Sequence, residues 1–278
     1  MAPLPHVVVV GCGLGGLATG IALKLTGGFE VTLLEASREL GDIGAGIQVS
    51  PNCSRLLIRW GCEKYLRDTV VLPKYGRVVR WQNGKVLTQA PMMPLIEQKF
   101  GFPHWNVHRG DLHNALRQRL EDMGVTIRCN AKVVDADLRA ASVTLHSGEQ
   151  IPCDFIVGAD GIRSAMRDIL FGQEDSVPPQ ATGDYCYRFT CNIEDMTQDP
   201  ALAHLADVAM ATGWWGPEKH VVGYKLRGET MYNVVTVFPD DGSMEYQYKT
   251  AGELSHLREL YRDWCPEYDF LSASCSVI

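Results

Sequence analysis

Three glycines and one acid near the N-terminus have the types and spacing to hold a phosphorylated ligand. Residues 6–16 read His-Val-Val-Val-Val-Gly-Cys-Gly-Leu-Gly-Gly, and Val31-Thr-Leu-Leu-Glu35 follows a run of small residues. Gly11 suits a tight turn, Gly13 lets backbone approach a pyrophosphate, and Gly16 lets a helix pack closely on a strand. The positive end of that helix then faces the phosphates. Glu35, 19 residues after Gly16, stands where a carboxylate can accept both hydroxyls of an adenosine ribose. A lone G-x-G-x-x-G is a weak signal. Here it follows an apolar strand and precedes a helix rich in small residues (Ala18, Gly20, Ala22) and the spaced acid. Together these read as a dinucleotide site.

Three later segments add chemistry, each with a plainer alternative. Phe155-Ile-Val-Gly-Ala-Asp-Gly161 ends a strand where ligands of open α/β sheets bind. Asp160 could take a ribitol or ribose hydroxyl there, with Gly161 allowing close approach, or it could simply cap the next helix. Arg109, in Val107-His-Arg-Gly-Asp-Leu112, stands just before a helix and could reach a pyrophosphate bidentately, or be a solvated surface side chain. Gly41-Asp-Ile-Gly-Ala-Gly-Ile-Gln48 has the small residues a backbone needs to pass a flat ring, or forms a surface loop.

The elements needed to position these groups are legible. Strand 7–10, helix 15–26 and strand 30–35 form the first crossover. Ser50-Pro51-Asn52 opens a helix to about residue 60, with Ser50 as cap. Strands 77–81 and 85–88 flank Asn83-Gly84, a hairpin signal. Helix 111–123 carries Leu112, Ala115, Leu116, Leu120 and Met123 on one face. Strands 125–129, 132–138, 142–146 and 154–158 follow. After Pro178-Pro179, segments 184–192, 207–215, 219–226 and 230–237 read as an antiparallel sheet, and a stripe from Leu254 to Trp264 reads as a helix. The fold class is α/β: a Rossmann-like body of residues 1–72 and 103–177, with an antiparallel substrate sheet from 73–102 and 178–278.

Composition narrows the function classes. Apolar residues make up 46% and charged residues 21% of 278 residues, the balance of a globular protein with ample core. A net charge of −7 argues against nucleic acid or an anionic membrane as partner. Nine cysteines form no C-x-x-C pair and no zinc-ligand spacing, so no metal site is expected and the thiols read as reduced. No signal peptide or run of about 18 apolar residues is present, and the expected location is cytoplasmic.

Taken in order, G-x-G-x-x-G, Glu35, Gly44-Ala-Gly-Ile47, Ser50-Pro-Asn52, His108-Arg-x-x-Leu112 and Gly158-Ala-Asp-Gly161 resemble the class A flavin monooxygenases, nearest their salicylate hydroxylase-like branch in fungal secondary metabolism. The resemblance implies FAD as cofactor, NAD(P)H as co-substrate, and transfer of one oxygen from O2 to an aromatic or enolic small molecule. It implies that Gly11, Gly13 and Gly16 hold the pyrophosphate and Glu35 the adenosine ribose. Ala45 and Gly46 would line the flavin, Arg109 would contact the dinucleotide, and Asp160 with Gly161 would bind nearer the ribityl phosphate. On the substrate sheet it points to Arg188 as a catalytic group, with sheet-surface salt bridging as the plainer alternative. Tyr224 is a second catalytic candidate, with Trp214, Trp215 and His220 on neighbouring strands, where aromatics more often form core. Tyr185 and Tyr187 alternate with Arg188 and should face the other way.

One family motif is missing. Gly-Asp-Ala-x-His-Pro should follow the substrate sheet, and the pairs Gly41-Asp42, Gly110-Asp111 and Gly183-Asp184 lack its continuation. The expectation is weak turnover for this chain alone, since an open pocket admits water. The rivals are a truncated flavin-binding relic without catalysis, and an NAD-dependent dehydrogenase, which would need neither Asp160-Gly161 nor Arg109.

Overall fold

The structure is a computed structural model that describes residues 2–41, 44–172, 177–240, 242, 254–265 and 276–277. In chain order the elements are β1 (His6–Val10), α1 (Leu14–Leu25), β2 (Glu30–Leu34), β3 (Gly46–Val49), α2 (Pro51–Arg59), β4 (Tyr75–Arg80), β5 (Val86–Pro91) and α3 (Leu95–Phe100). Next come β6 (Trp105–His108), α4 (Arg109–Asp122), β7 (Thr126–Arg128), β8 (Val133–Asp137), β9 (Ser142–Leu145), β10 (Gln150–Pro152), β11 (Phe155–Gly158) and α5 (Ala165–Phe171). The last are β12 (Asp184–Asn192), α6 (Ile193–Gln198), α7 (Ala203–Asp207), β13 (Met210–Trp215), β14 (His220–Leu226), β15 (Met231–Pro239), α8 (Leu254–Tyr261) and β16 (Ser276–Val277). They form two compact units. The first is Met1–Ile43, Ile58–Tyr65 and Gly110–Gln180; the second is Gly44–Leu57, Leu66–Arg109 and Ala181–Ile278.

In the first unit a sheet of order β11-β1-β2-β7 is parallel throughout. Four consecutive valines suit its inner strand, because a parallel sheet is covered on both faces and offers a strand no solvent side. Val7 to Val10 are at most 6% exposed. Helix α1 buries Gly16, Leu17, Gly20 and Ile21. A Cβ at Gly20 would stand 3.0 Å from Leu33 and 3.2 Å from Leu120, so this small-residue face lets α1 pack tightly against β2 and α4. Helix α4 buries Leu112, Ala115, Leu116 and Leu120, the face its 3.6-residue pattern predicts. A three-stranded antiparallel sheet, β10-β9-β8, contributes Val143 and Leu145 to a core shared with Val8, Val10, Leu34 and Met166.

The second unit is built on a seven-stranded sheet of order β16-β12-β15-β14-β13-β4-β5. Register places Tyr187, Thr236, Val221 and Trp214 side by side on one face. With Phe189, Val234 and Tyr232 they pack against Met196 of α6, Leu205 of α7 and Leu257 and Tyr261 of α8. The alternate residues, Arg188, Val235 and Val222, then Thr190, Asn233 and Tyr224, occupy the opposite face.

Several readings from sequence change here. The sheet is not wholly antiparallel, because β13 runs parallel to β4. The two are far apart in the chain, so no hairpin turn fixes their relative direction. Residues 203–207 are helical and β13 begins only at Met210; α8 stops at Tyr261 and leaves Trp264 outside it. Gly46–Val49, read as loop, is a strand because it pairs with β6; Asp42 and Ile43 of that segment lie outside the described residues. Residues 44–57, 66–72 and 103–109 go with the second unit, where the β3–β6 ladder and the Val71–Asn106 bridge tie them together. Ser50 starts α2 with its carbonyl, which accepts from Cys53 and Ser54, while its hydroxyl donates to Asn52 Oδ1. Not every thiol is free: Cys191 is disulfide-bonded.

Phe189 is fully buried, and Phe189→Ala should lower stability by about 3–5 kcal/mol. Val86, 47% exposed on the outer strand β5, should tolerate Val86→Ala within about 0.5 kcal/mol. Urea unfolding midpoints read both.

Candidate functional site

The first unit gathers one group of the expected residues around the turn between β1 and α1. Gly11 has φ +103°, and a Cβ there would fall 2.4 Å from the Ala159 carbonyl oxygen. A Cβ at Gly16 would lie 1.9 Å from the Gly11 carbonyl oxygen. No other residue fits either position. At Gly13, Gly15 and Gly161 the space a Cβ would fill is open. The motif thus divides into glycines fixed by the protein's own backbone and glycines that leave a cradle. No side chain caps the N-terminus of α1, so its first amides and dipole are directed at that cradle, a setting for a diphosphate.

Glu35 lies at the turn. Its Oε2 accepts the Cys12 amide at 2.9 Å and its Oε1 accepts the Ser37 amide at 2.9 Å. Each oxygen keeps a second lone pair, so the carboxylate organises the turn and can still accept hydroxyls. Burial, and then the Glu35 charge, push the Cys12 thiol up to about 12, so this cysteine is a packing group rather than a nucleophile. Ser164 caps α5 by accepting the Arg167 amide, and Asp160 supports that cap. Asp160 Oδ1 accepts from Ser164 Oγ at 2.6 Å and its Oδ2 from the Met166 amide at 3.1 Å. The Gly11 contact with Ala159 brings this second motif beside the first.

Sequence reasoning missed His113. Its Nε2 donates to the Cys12 carbonyl at 2.7 Å, and the residue is 8% exposed. The signal was present: a polar side chain on the apolar face of α4 must be buried, and buried polar groups find partners.

The second unit assembles another group. The β3–β6 ladder pairs Gly46 with His108, and the Arg109 amide donates to the Ala45 carbonyl at 3.0 Å. This brings the expected Ala45, Gly46 and Arg109 together at one strand end. Gly46 also donates its amide to Asn233 Oδ1 at 2.6 Å. A Cβ on Gly46 would stand 2.7 Å from both Asn233 and the Tyr224 ring. Tyr224 is 4% exposed, and burial pushes its hydroxyl up to about 12, with Arg188 pulling the other way. Arg188 is therefore within electrostatic reach of Tyr224, and register puts both on the open face of the sheet. Asn233, which no motif marked, has a buried Nδ2 without a hydrogen-bond partner among the described residues.

Trp214 and Tyr187 fall away from that face. Trp214 is fully buried in the core on the helix side, and Tyr187 stacks on Phe238 there. Trp215 and His220, opposite one another in the β13–β14 ladder, lie on the open face and are exposed. Among the described residues, no group of three or more His, Cys, Asp or Glu side chains could hold a metal ion, and no helix is long and apolar enough to cross a membrane.

Comparison with known proteins adds to this geometry. Residues 5–178 match the family model described as FAD binding domain. The chain is 35% identical to the FAD-dependent monooxygenase OpS4 of Beauveria bassiana (strain ARSEF 2860), over 94% of this chain and 61% of that protein. It is 33% identical to 3-hydroxybenzoate 6-hydroxylase of Klebsiella oxytoca, over 86% of this chain and 58% of that protein. The chain thus spans about three fifths of the length of these curated relatives. The crystal structure of CtdE in complex with FAD and substrate 4 superposes with a TM-score of 0.85 at 19% identity, covering 98% of this chain and 66% of that one. That last likeness concerns the fold.

Gly46→Ala should be overpacked against Asn233 and Tyr224, costing about 1–3 kcal/mol. Thermal unfolding of the variant should show a lowered midpoint, whereas Gly148→Ala, whose Cβ would meet nothing within 4 Å, tests the cost of a positive φ (+87°) without a clash.

Proposed function

Because this chain belongs to the family of FAD binding domains, matched over residues 5–178, we propose that it binds FAD and serves as an NAD(P)H-dependent monooxygenase, hydroxylating a small aromatic or enolic substrate with O2. The observation that carries this reading is the glycine turn, with Gly11 and Gly16 pinned, Gly13 and Gly15 open, and the Glu35 carboxylate at its back. Bound FAD would supply the redox chemistry by which NAD(P)H and O2 are used; the chain's own task is to hold, orient and exclude water.

Each residue has a defined part in that task. Glu35 accepts the adenosine ribose hydroxyls with its remaining lone pairs. The amides at the start of α1 take the pyrophosphate through the space beside Gly13. Arg109 gives a guanidinium to the dinucleotide, and Ala45 with Gly46 presents side-chain-poor backbone to the flavin ring. Asp160 and Gly161 serve the ribityl phosphate side. On the open face of the second unit's sheet, Arg188 orients an anionic or enolic substrate. Tyr224, with its hydroxyl pushed up to about 12, stays protonated at neutral pH and acts as a hydrogen-bond donor. The first unit is then the FAD-binding body and the seven-stranded sheet carries the substrate.

Glu35→Gln replaces a charged acceptor with an amide and should weaken FAD binding about tenfold or more, because hydrogen bonds to charged groups contribute roughly 1.5–3 kcal/mol. Flavin fluorescence titration checks it. With FAD bound, hydroxylated aromatic acids should stimulate NAD(P)H oxidation and yield a product heavier by one oxygen. A chain that keeps its flavin but shows no such stimulation is a flavin-binding protein, and the monooxygenase reading is then wrong.

A further inference from the structure

We infer that His113 is a positioning residue for the dinucleotide cradle, clamping the Cys12 carbonyl while Glu35 clamps the Cys12 amide, so that the turn is set before its ligand arrives. This rests on the reading that the turn receives FAD. The acceptor is a carbonyl, so the imidazole must be the donor and Nε2 carries the proton. The two peptide groups flanking Cys12 are thereby held by side chains from different elements, one just past β2 and one on α4. The Cys12 side chain itself is 1% exposed and anchors the same residue inward.

Rigidity and openness meet at one peptide. Gly11 and Cys12 are fixed by Ala159, Gly16, Glu35 and His113, while the next residue, Gly13, has nothing within 4 Å of its missing Cβ. A turn fixed up to the edge of the cradle loses little freedom on binding, and preorganisation of this kind lowers the cost of association. The position is otherwise poorly suited to a histidine. Its neighbours on α4 include Leu112, Leu116 and Leu120, and leucine would fit the apolar pattern of that face better. A local conflict of this kind marks a residue kept for its bond rather than for packing.

The test uses the full chain with FAD and, as a probe of the adenosine diphosphate half alone, ADP. His113→Leu keeps the apolar face but has no donor; His113→Gln can still donate to the Cys12 carbonyl. Should the leucine variant not fold, His113→Met serves as the donorless form. Titration calorimetry should show FAD and ADP weakened together, about tenfold, in the donorless variant, since about 1.4 kcal/mol is tenfold and one buried hydrogen bond is of that order. The glutamine variant should return both constants to within about threefold of wild type. Urea unfolding without ligand separates a general loss of stability from this pattern. A donorless variant that is less stable yet binds FAD and ADP as wild type does overturns the inference, as does a glutamine variant no better than the donorless one. Wild-type protein that takes up neither ligand overturns the FAD reading, and the inference with it.

Discussion

The first unit depends on a contact that only glycine permits. The backbone of Gly16 comes so close to the Gly11 carbonyl that a methyl group would overlap it, and Gly11 in turn abuts Ala159. These approaches draw the start of α1, the tip of β1 and the tip of β11 to one place. The parallel sheet orders the strands so that their carboxyl ends lie together, where open α/β sheets bind ligands. Glu35 then reaches back from the end of β2 to the Cys12 amide. The helix dipole, the open backbone at Gly13 and the carboxylate therefore act on one ligand position without any side chain having to move into place.

The second unit solves a different problem with the same economy. Its sheet has one face committed to packing against α6, α7 and α8, which fixes the strands and their register. The opposite face is then free to carry polar groups: Arg188 exposed, with Tyr224 and Asn233 buried under Gly46. Burying a tyrosine hydroxyl disfavours its anion, so Tyr224 is a donor across the physiological range. The glycine at position 46 is demanded by that packing, and its backbone amide ties the small-residue segment to the sheet by a hydrogen bond donated to Asn233 Oδ1.

Much of this was legible in the sequence because local chemistry decided it. Four valines ahead of a glycine turn could be little else than an inner parallel strand, and the alternation across Tyr185, Tyr187 and Arg188 gave their faces correctly. What the sequence hid depended on partners distant in the chain. The pairing of β3 with β6 turned a glycine-rich loop into a strand, and β4 met β13 in parallel because no turn dictated otherwise. Trp214 stands among the candidates on the substrate sheet, and its register places it in the core, the commoner position for a sheet aromatic. His113 and Asn233 belong to no motif. Each matters through one hydrogen bond to a backbone group that sequence spacing cannot reveal.

The central claim is that the open space at Gly13 receives the diphosphate of FAD. Gly13→Ala tests it most directly, because the added Cβ meets nothing within 4 Å and the residue's φ of −68° is ordinary. The account predicts an unfolding midpoint within a few degrees of wild type, allowing about 1 kcal/mol for a poorer helix start, together with loss of FAD binding. A variant that still takes up FAD with the wild-type constant would contradict it.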